Sequence, residues 1–262
     1  MKRLKIGGSD AGFFSMMRGT VGTFLRADQL GEPYVSWDRT LYNEVEYGPN
    51  AWEYYFEQFP EINPEDEVSG CHHVILPREY QTRVTMNHLL NKYVVVKQHV
   101  WDIVDPLVVR LGEKPLGVHI RLTDKNNCTA HGEPETGKPV ILTNYMNHID
   151  YYLEENPDSK IFLATDDYNC LATIRDKYED KVVFSDSIRS SGDVSIHHGS
   201  SQNGYTKGLN VLVDALTLSS CHHIIKGISN VALFALFWNL DLTSENMNSI
   251  YNNDTREDFV NV

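Results

Sequence analysis

Several short stretches of this chain carry residue types able to hold an anion or move a proton. Leu116-Gly-Val-His-Ile-Arg121 ends in an arginine two residues after His119. Read as a strand, it points His119 and Arg121 to one face, because side chains alternate. A guanidinium at a strand's C-terminal edge can fork onto a phosphate with two parallel hydrogen bonds, which lysine cannot do. The plainer alternative is a surface ion pair with Asp124, which would contribute little. Thr165-Asp166-Asp167 offers two carboxylates. They suit a metal, hydrogen bonds from a base or ribose, or a cap on the helix beginning at Tyr168.

The other stretches are less specific. Ser185-Asp186-Ser187 resembles the Asp166-Asp167 junction and reads first as a cap. Asp214 interrupts an apolar helical run, Leu209-Asn-Val-Leu-Val-Asp-Ala-Leu216, where a charge is costly unless it meets solvent or a partner. Gly227-Ile-Ser-Asn230 opens a very apolar helix. Free N–H groups there, with the Ser229 hydroxyl and Asn230, suit a phosphate, although any Ser–Asn helix start looks alike. The loop Gly7-Gly-Ser-Asp-Ala-Gly12 is neither a GxGxxG fingerprint nor a P-loop. Gly8 and Gly12 would still let backbone approach a ligand closely. Asp10 in that loop is either an ordinary turn residue or a carboxylate facing a cleft. The pairs His72-His73, His197-His198 and His222-His223 make poor chelators, since neighbours on a strand diverge. No metal site is expected from them.

The elements that must position these residues follow from pattern. Residues 4–6 and 33–37 read as strands around a helix over 13–30, a βαβ start to an N-terminal lobe. Residues 38–70 give few periodic cues and read as irregular. A long helical pattern covers 80–111, with Val84, Leu89, Leu90, Tyr93, Val94 and Val100 among its apolar positions. Pro106 is expected to kink it or end a turn. Beyond it, strands over 116–121, 160–165, 181–185 and 223–226 alternate with helices over 144–155, 169–178, 206–219 and 230–239. That alternation marks a parallel sheet covered on both faces. Ligands of such sheets collect at the strands' C-terminal ends, where most of the residues named above fall. The expected domains are 1–112, 113–240 and a polar tail over 241–262, a loose end or an oligomer contact.

Composition narrows the class. The 262 residues are 41% hydrophobic, enough for one large domain or two small ones with a real core. Lys and Arg total 23 against 36 Asp and Glu, a formal charge of −13, which argues against broad nucleic-acid binding. It leaves room for a local basic spot gripping one small anion. Cys71, Cys128, Cys170 and Cys221 show no CxxC spacing. A reducing environment is expected. No apolar run has the length of a signal peptide or a membrane span, so a cytoplasmic protein is expected.

Taken in order, three motifs resemble the GDP-fucose-dependent fucosyltransferases of the α1,6 type, a group with nodulation-factor and protein O-fucosylating members. They are Gly117-Val-His-Ile-Arg-Leu-Thr-Asp-Lys125, Ile161-Phe-Leu-Ala-Thr-Asp-Asp167, and Val211-Leu-Val-Asp214 followed by Ser229. The match covers residues 116–238; the N-terminal lobe matches only through its glycine-rich first loop. The resemblance implies an α/β fold of GT-B type, two Rossmann-like lobes with the donor site in the C-terminal one. It implies that Arg121 holds the β-phosphate and that His119, Asp166, Asp167, Asp214, Ser229 and Asn230 line the nucleotide pocket. Gly8, Gly12 and Asp124 are further candidates for the nucleotide sugar. Such enzymes invert the anomeric centre, take a nucleotide sugar as co-substrate and need no cofactor or metal.

The chain also departs from that pattern. The α1,6 enzymes carry a second arginine where this chain has Leu122, and an arginine after the Ser motif where it has Val231-Ala-Leu. The loop after Lys125 is replaced by Asn126-Asn-Cys-Thr-Ala-His-Gly-Glu133. A UDP- or GDP-linked sugar other than fucose, xylose or rhamnose for instance, is therefore an alternative donor. Two other readings stay open: a metal-dependent transferase using Asp166-Asp167, and a non-catalytic nucleotide or glycan binder. For the base, Asp10 comes first, then Glu133 and Asp124. Trp52-Glu-Tyr-Tyr-Phe56 is either core or a stacking surface for a glycan or glycoprotein acceptor.

Overall fold

The computed structural model describes residues 2–27, 31–58, 67–71 (backbone), 82–122, 142–190 and 203–247. The chain divides into two compact units, one of Met1–Trp101, Gln202–Leu209 and Thr255–Val262, the other of Asp102–Ser201 and Asn210–Asp254.

In the first unit, β1 (Lys2–Gly7) lies between β2 (Glu32–Ser36) and β3 (Glu67–Cys71), all parallel. Helix α1 (Phe13–Phe24) connects β1 to β2 and buries most of its length. It stops at Phe24, short of the expected end near 30. Phe13 is the hub of an aromatic core, meeting Trp37, Tyr42 and Tyr55 edge-on at 5.3–5.4 Å between ring centroids. Such edge-to-face pairs favour the ring quadrupoles as well as burying area. Polar atoms inside this core are paired: Trp37 Nε1 donates to Thr20 Oγ1 at 3.1 Å, and the Phe13 N–H to the Tyr42 hydroxyl at 2.7 Å.

Several expectations and open readings are decided here. Residues 38–70 are not irregular throughout, since they hold a 3₁₀ turn (Val45–Tyr47), the short helix α2 (Trp52–Tyr55) and most of β3. Trp52, Tyr55 and Phe56 are fully buried, so this aromatic stretch is core and offers no stacking surface. The helical pattern over 80–111 is two helices, α3 (Arg83–Tyr93) and α4 (Gln98–Leu111), and Pro106 lies inside the second without ending it. The break is at Val94–Lys97 instead. There the Glu57 N–H bonds the Val95 carbonyl at 2.8 Å and the Lys97 N–H the Tyr55 carbonyl at 2.9 Å. These bridges satisfy backbone groups the helix would otherwise use, and β-branched Val94-Val-Val96 accepts extended backbone readily. Val84, one of the apolar positions of that pattern, is 61% exposed.

Among the described residues, the second unit holds a five-stranded, all-parallel sheet: β4 (Leu116–Ile120), β5 (Ile161–Thr165), β6 (Val182–Val183), β7 (His223–Lys226) and β8 (Thr243–Asn246), in spatial order β6-β5-β4-β7-β8. Helices α5 (Leu142–Glu155), α6 (Tyr168–Tyr178), α7 (Gly204–Ser219) and α8 (Asn230–Trp238) make the crossovers. Numbered within the sheet, this is order 3-2-1-4-5, the doubly wound pattern. Strands β4 and β5 are buried at every residue, as expected of a sheet covered on both faces. β6 has two residues where five were expected. Part of the tail is corrected too, since Thr243–Asn246 pairs in parallel with β7. Among the described residues, no helix is long and apolar enough to cross a membrane.

Candidate donor site

The direction in which the chain leaves the sheet reverses between β4 and β7, so the crevice at their C-terminal ends is the natural ligand position. Leu116, Val118 and Ile120 of β4 belong, with Ile225 of β7, to the core cluster shared with α5 and α6. Side-chain alternation therefore puts His119 on the opposite face, where a Cβ on Gly117 would meet Leu218 and Cys221 at 3.1–3.2 Å. His119 is the register partner of Ala164 in β5 and Lys226 in β7. Arg121 follows directly after β4.

His119 is 6% exposed, and its pKa is lowered to about 3. Burial is the largest cause, followed by the positive charges of Arg121 and Lys226. The imidazole is therefore neutral at physiological pH. Its Nδ1 is buried without a hydrogen-bond partner among the described residues. Lys226 closes β7 at 7% exposure, and sequence reading passed over it. The available signal was a lysine ending an apolar strand just before the Gly227-Ile-Ser-Asn230 helix start.

Several residues read from the sequence lie at these strand and helix ends, and their side chains are engaged within the unit. Asp166 Oδ1 accepts the Leu122 N–H at 2.9 Å, holding the chain just after Arg121. Asp167 caps α6, accepting the Cys170 N–H at 2.6 Å. Its neighbourhood is fixed further by the Ser190 N–H, which donates to the Asp166 carbonyl at 2.8 Å. Ser229 caps α8, its hydroxyl accepting the Val231 N–H at 3.2 Å, and Asn230 is the first helical residue.

Asp214 is a partnered charge rather than an exposed helix position. Ser185 Oγ donates to its Oδ1 at 2.5 Å, and Ser187 Oγ lies 3.4 Å from Oδ2. Burial raises its pKa to about 6, against the lowering effects of Ser185, the Arg189 charge and Ser187. The Arg189 guanidinium fastens the same loop, donating to the carbonyls of Ser187 at 2.6 Å and Ser185 at 3.1 Å. Nothing in the local sequence marks Arg189 for this role.

The first unit carries Gly8, Asp10 and Gly12. Asp10 is exposed in the loop after β1. Gly8 has a packing reason of its own: a Cβ there would lie 2.5 Å from Thr40 Cγ2 and 3.2 Å from Trp37 Cα. At Gly12 a Cβ would meet nothing within 4 Å. Asp124, Glu133, His72-His73 and His197-His198 lie outside the described residues. His223 starts β7, its ring stacked on Tyr152 and its Nδ1 2.7 Å from Thr243 Oγ1. No group of three or more His, Cys, Asp or Glu among the described residues is arranged to hold a metal ion.

No protein-family model matches the chain, and no curated protein matches its sequence. Solved structures do match. The fucosyltransferase NodZ from Bradyrhizobium aligns at a TM-score of 0.56 and 15% identity, over 90% of this chain and 93% of that one. NodZ α-1,6-fucosyltransferase soaked with GDP-fucose gives 0.58 at 15% identity, over 91% and 93%. POFUT1 in complex with GDP gives 0.56 at 9% identity, over 94% and 98%. The resemblance read from the sequence motifs is thus met at the level of fold. The chain has the α/β fold of GT-B type that these fucosyltransferase structures share.

Proposed function

We propose that this chain is an inverting glycosyltransferase that moves fucose from GDP-fucose to a glycan hydroxyl without a metal. The observation that carries the reading is the convergence of His119, Arg121, Lys226 and the α8 N-terminus on the switch point between β4 and β7. The fold shared with NodZ soaked with GDP-fucose and POFUT1 with GDP supports it.

In the reaction, the acceptor hydroxyl oxygen attacks the anomeric carbon from the face opposite the nucleotide. The bond from that carbon to the β-phosphate oxygen breaks, and the electron pair leaves with GDP. Negative charge grows on the diphosphate, where a guanidinium and a helix N-terminus are the groups that stabilise it. Arg121 takes the β-phosphate, with Ser229 and Asn230 beside it. His119, Asp166, Asp167 and Asp214 line the nucleotide pocket, His119 as a neutral group. The hydroxyl proton passes to a carboxylate, for which Asp10 is the proposed acceptor. The hydrogen bonds already holding Asp166 and Asp167 favour a pocket role for this pair over a metal-binding one.

The test is a panel of GDP-fucose, UDP-xylose and a rhamnose nucleotide, scored for nucleotide release with a glycan acceptor in EDTA. GDP release from GDP-fucose in EDTA, lost in Arg121→Ala, is expected. That loss corresponds to about 3 kcal/mol or more of transition-state stabilisation. Turnover abolished by chelation would favour the metal-dependent reading. Nucleotide binding without release from any donor would favour a binding protein.

A further inference from the structure

We infer that Lys226 is a second cation of the donor site, holding the diphosphate together with Arg121; this rests on the donor-site reading above. A diphosphate carries more than one negative charge, and the residue beside Arg121 is the uncharged Leu122. Among the described residues, a neighbouring strand can bring another positive group to the same crevice. Among the described residues, β4 and β7 flank the switch point, and Lys226 ends β7.

Its placement is specific. Lys226 is the register partner of His119, one strand away from the strand that delivers Arg121. Its neighbour Ile225 faces the α5–α6 core, so alternation sends the Lys226 side chain to the face of His119. The positive charges of Lys226 and of Arg121 both lower the His119 pKa. Three residues later, Ser229 begins α8, whose N-terminal N–H groups favour anions at the same strand ends.

Burial argues the same way. Lys226 is 7% exposed, so its stem is withdrawn from the surface at the end of β7. His119 Nδ1, also buried, has no hydrogen-bond partner among the described residues, as at a place built to receive a polar ligand. A compact ammonium supplements a forked guanidinium on a diphosphate, the first as a point charge and the second as a paired donor.

Titration calorimetry with GDP and with guanosine tests this on the wild type, Lys226→Met and Arg121→Ala. Lys226→Met is expected to weaken GDP binding roughly tenfold or more while leaving guanosine binding unchanged. Equal GDP affinity in wild type and Lys226→Met overturns the inference. A parallel loss of guanosine binding also overturns it, because the lysine would then act on the pocket and not on phosphate. Should Lys226→Met fail to fold, judged by its thermal transition, Arg121→Ala supplies the reading. It is expected to keep some preference for GDP over guanosine; loss of all preference overturns the inference. If the wild type binds no GDP, the donor-site reading itself falls, and this inference with it.

Discussion

The backbone N–H of Leu122 donates to Asp166 Oδ1 at 2.9 Å, so the residue after Arg121 is tied to the end of the neighbouring strand. Arg121 stands just past the last residue of β4, where the ladder no longer fixes the chain. A carboxylate on β5's C-terminal end takes over that task. The guanidinium proposed to hold the phosphate thus follows a backbone that Asp166 fixes, a role beyond the metal, nucleotide and capping roles its motif suggests.

Removing this acceptor should loosen Arg121 more than it disturbs the fold. Asp166→Ala is expected to lower kcat/KM about tenfold, the scale of one lost charge-assisted hydrogen bond. Asp166→Asn keeps an acceptor oxygen for the Leu122 N–H and should recover most of that loss. Steady-state kinetics of the two variants check this; equal damage in both would show that the carboxylate's charge matters and not its grip on the backbone.

Asp214 should make stability depend on pH in a direction unusual for a carboxylate. Its folded pKa of about 6 lies above its ordinary value of 3.8, so folding favours the protonated form. The stabilising contribution is therefore full below the ordinary value and lost as pH rises through about 6. Asp214→Asn mimics the protonated group and still accepts from Ser185. It is expected to be more stable than wild type at pH 7–8 by on the order of 1–2 kcal/mol, discounted for partial exposure. The gain should vanish near pH 4. Urea unfolding across that range measures it, and a pH-independent difference would contradict the assignment.

His119 carries the opposite sign. Its folded pKa of about 3 lies below the ordinary 6.5, so protonation belongs to the unfolded chain. Its contribution is present above 6.5 and is lost as pH falls toward 3. His119→Gln should flatten the acid limb of the stability profile between those values, with little change at pH 8. An acid limb unchanged by the substitution would mean that other groups set it.

Gly8 separates packing from ligand approach. Ala at this position forces Thr40 and the Trp37 backbone aside, at a cost of about 1–3 kcal/mol. The thermal transition of nucleotide-free Gly8→Ala should therefore fall by several degrees. A role confined to the nucleotide would leave that transition alone and weaken only donor binding.

Much of the second unit could be read directly because buried parallel strands leave little besides apolar residues in short runs. Ile161–Thr165 is of this kind, and the helices before and after it, α5 and α6, bury residues at helical spacing on one face. Two other strands resisted reading for a physical reason: Glu67–Cys71 and Thr243–Asn246 are polar or glycine-containing and sit at sheet edges. The break after Tyr93 depends on pairing with residues 55–57, a contact far away in sequence. At the proposed site, the face of β4 that His119 occupies is legible from strand alternation. Lys226 and Arg189 are not, because each owes its place to a neighbouring strand or a folded loop and not to local spacing.

The most direct measurement is a crystal structure of the protein with GDP. The diphosphate is predicted to lie at the C-terminal ends of β4 and β7, its β-phosphate oxygens forked by the Arg121 guanidinium. A nucleotide bound elsewhere, with Arg121 turned away from it, would contradict the account.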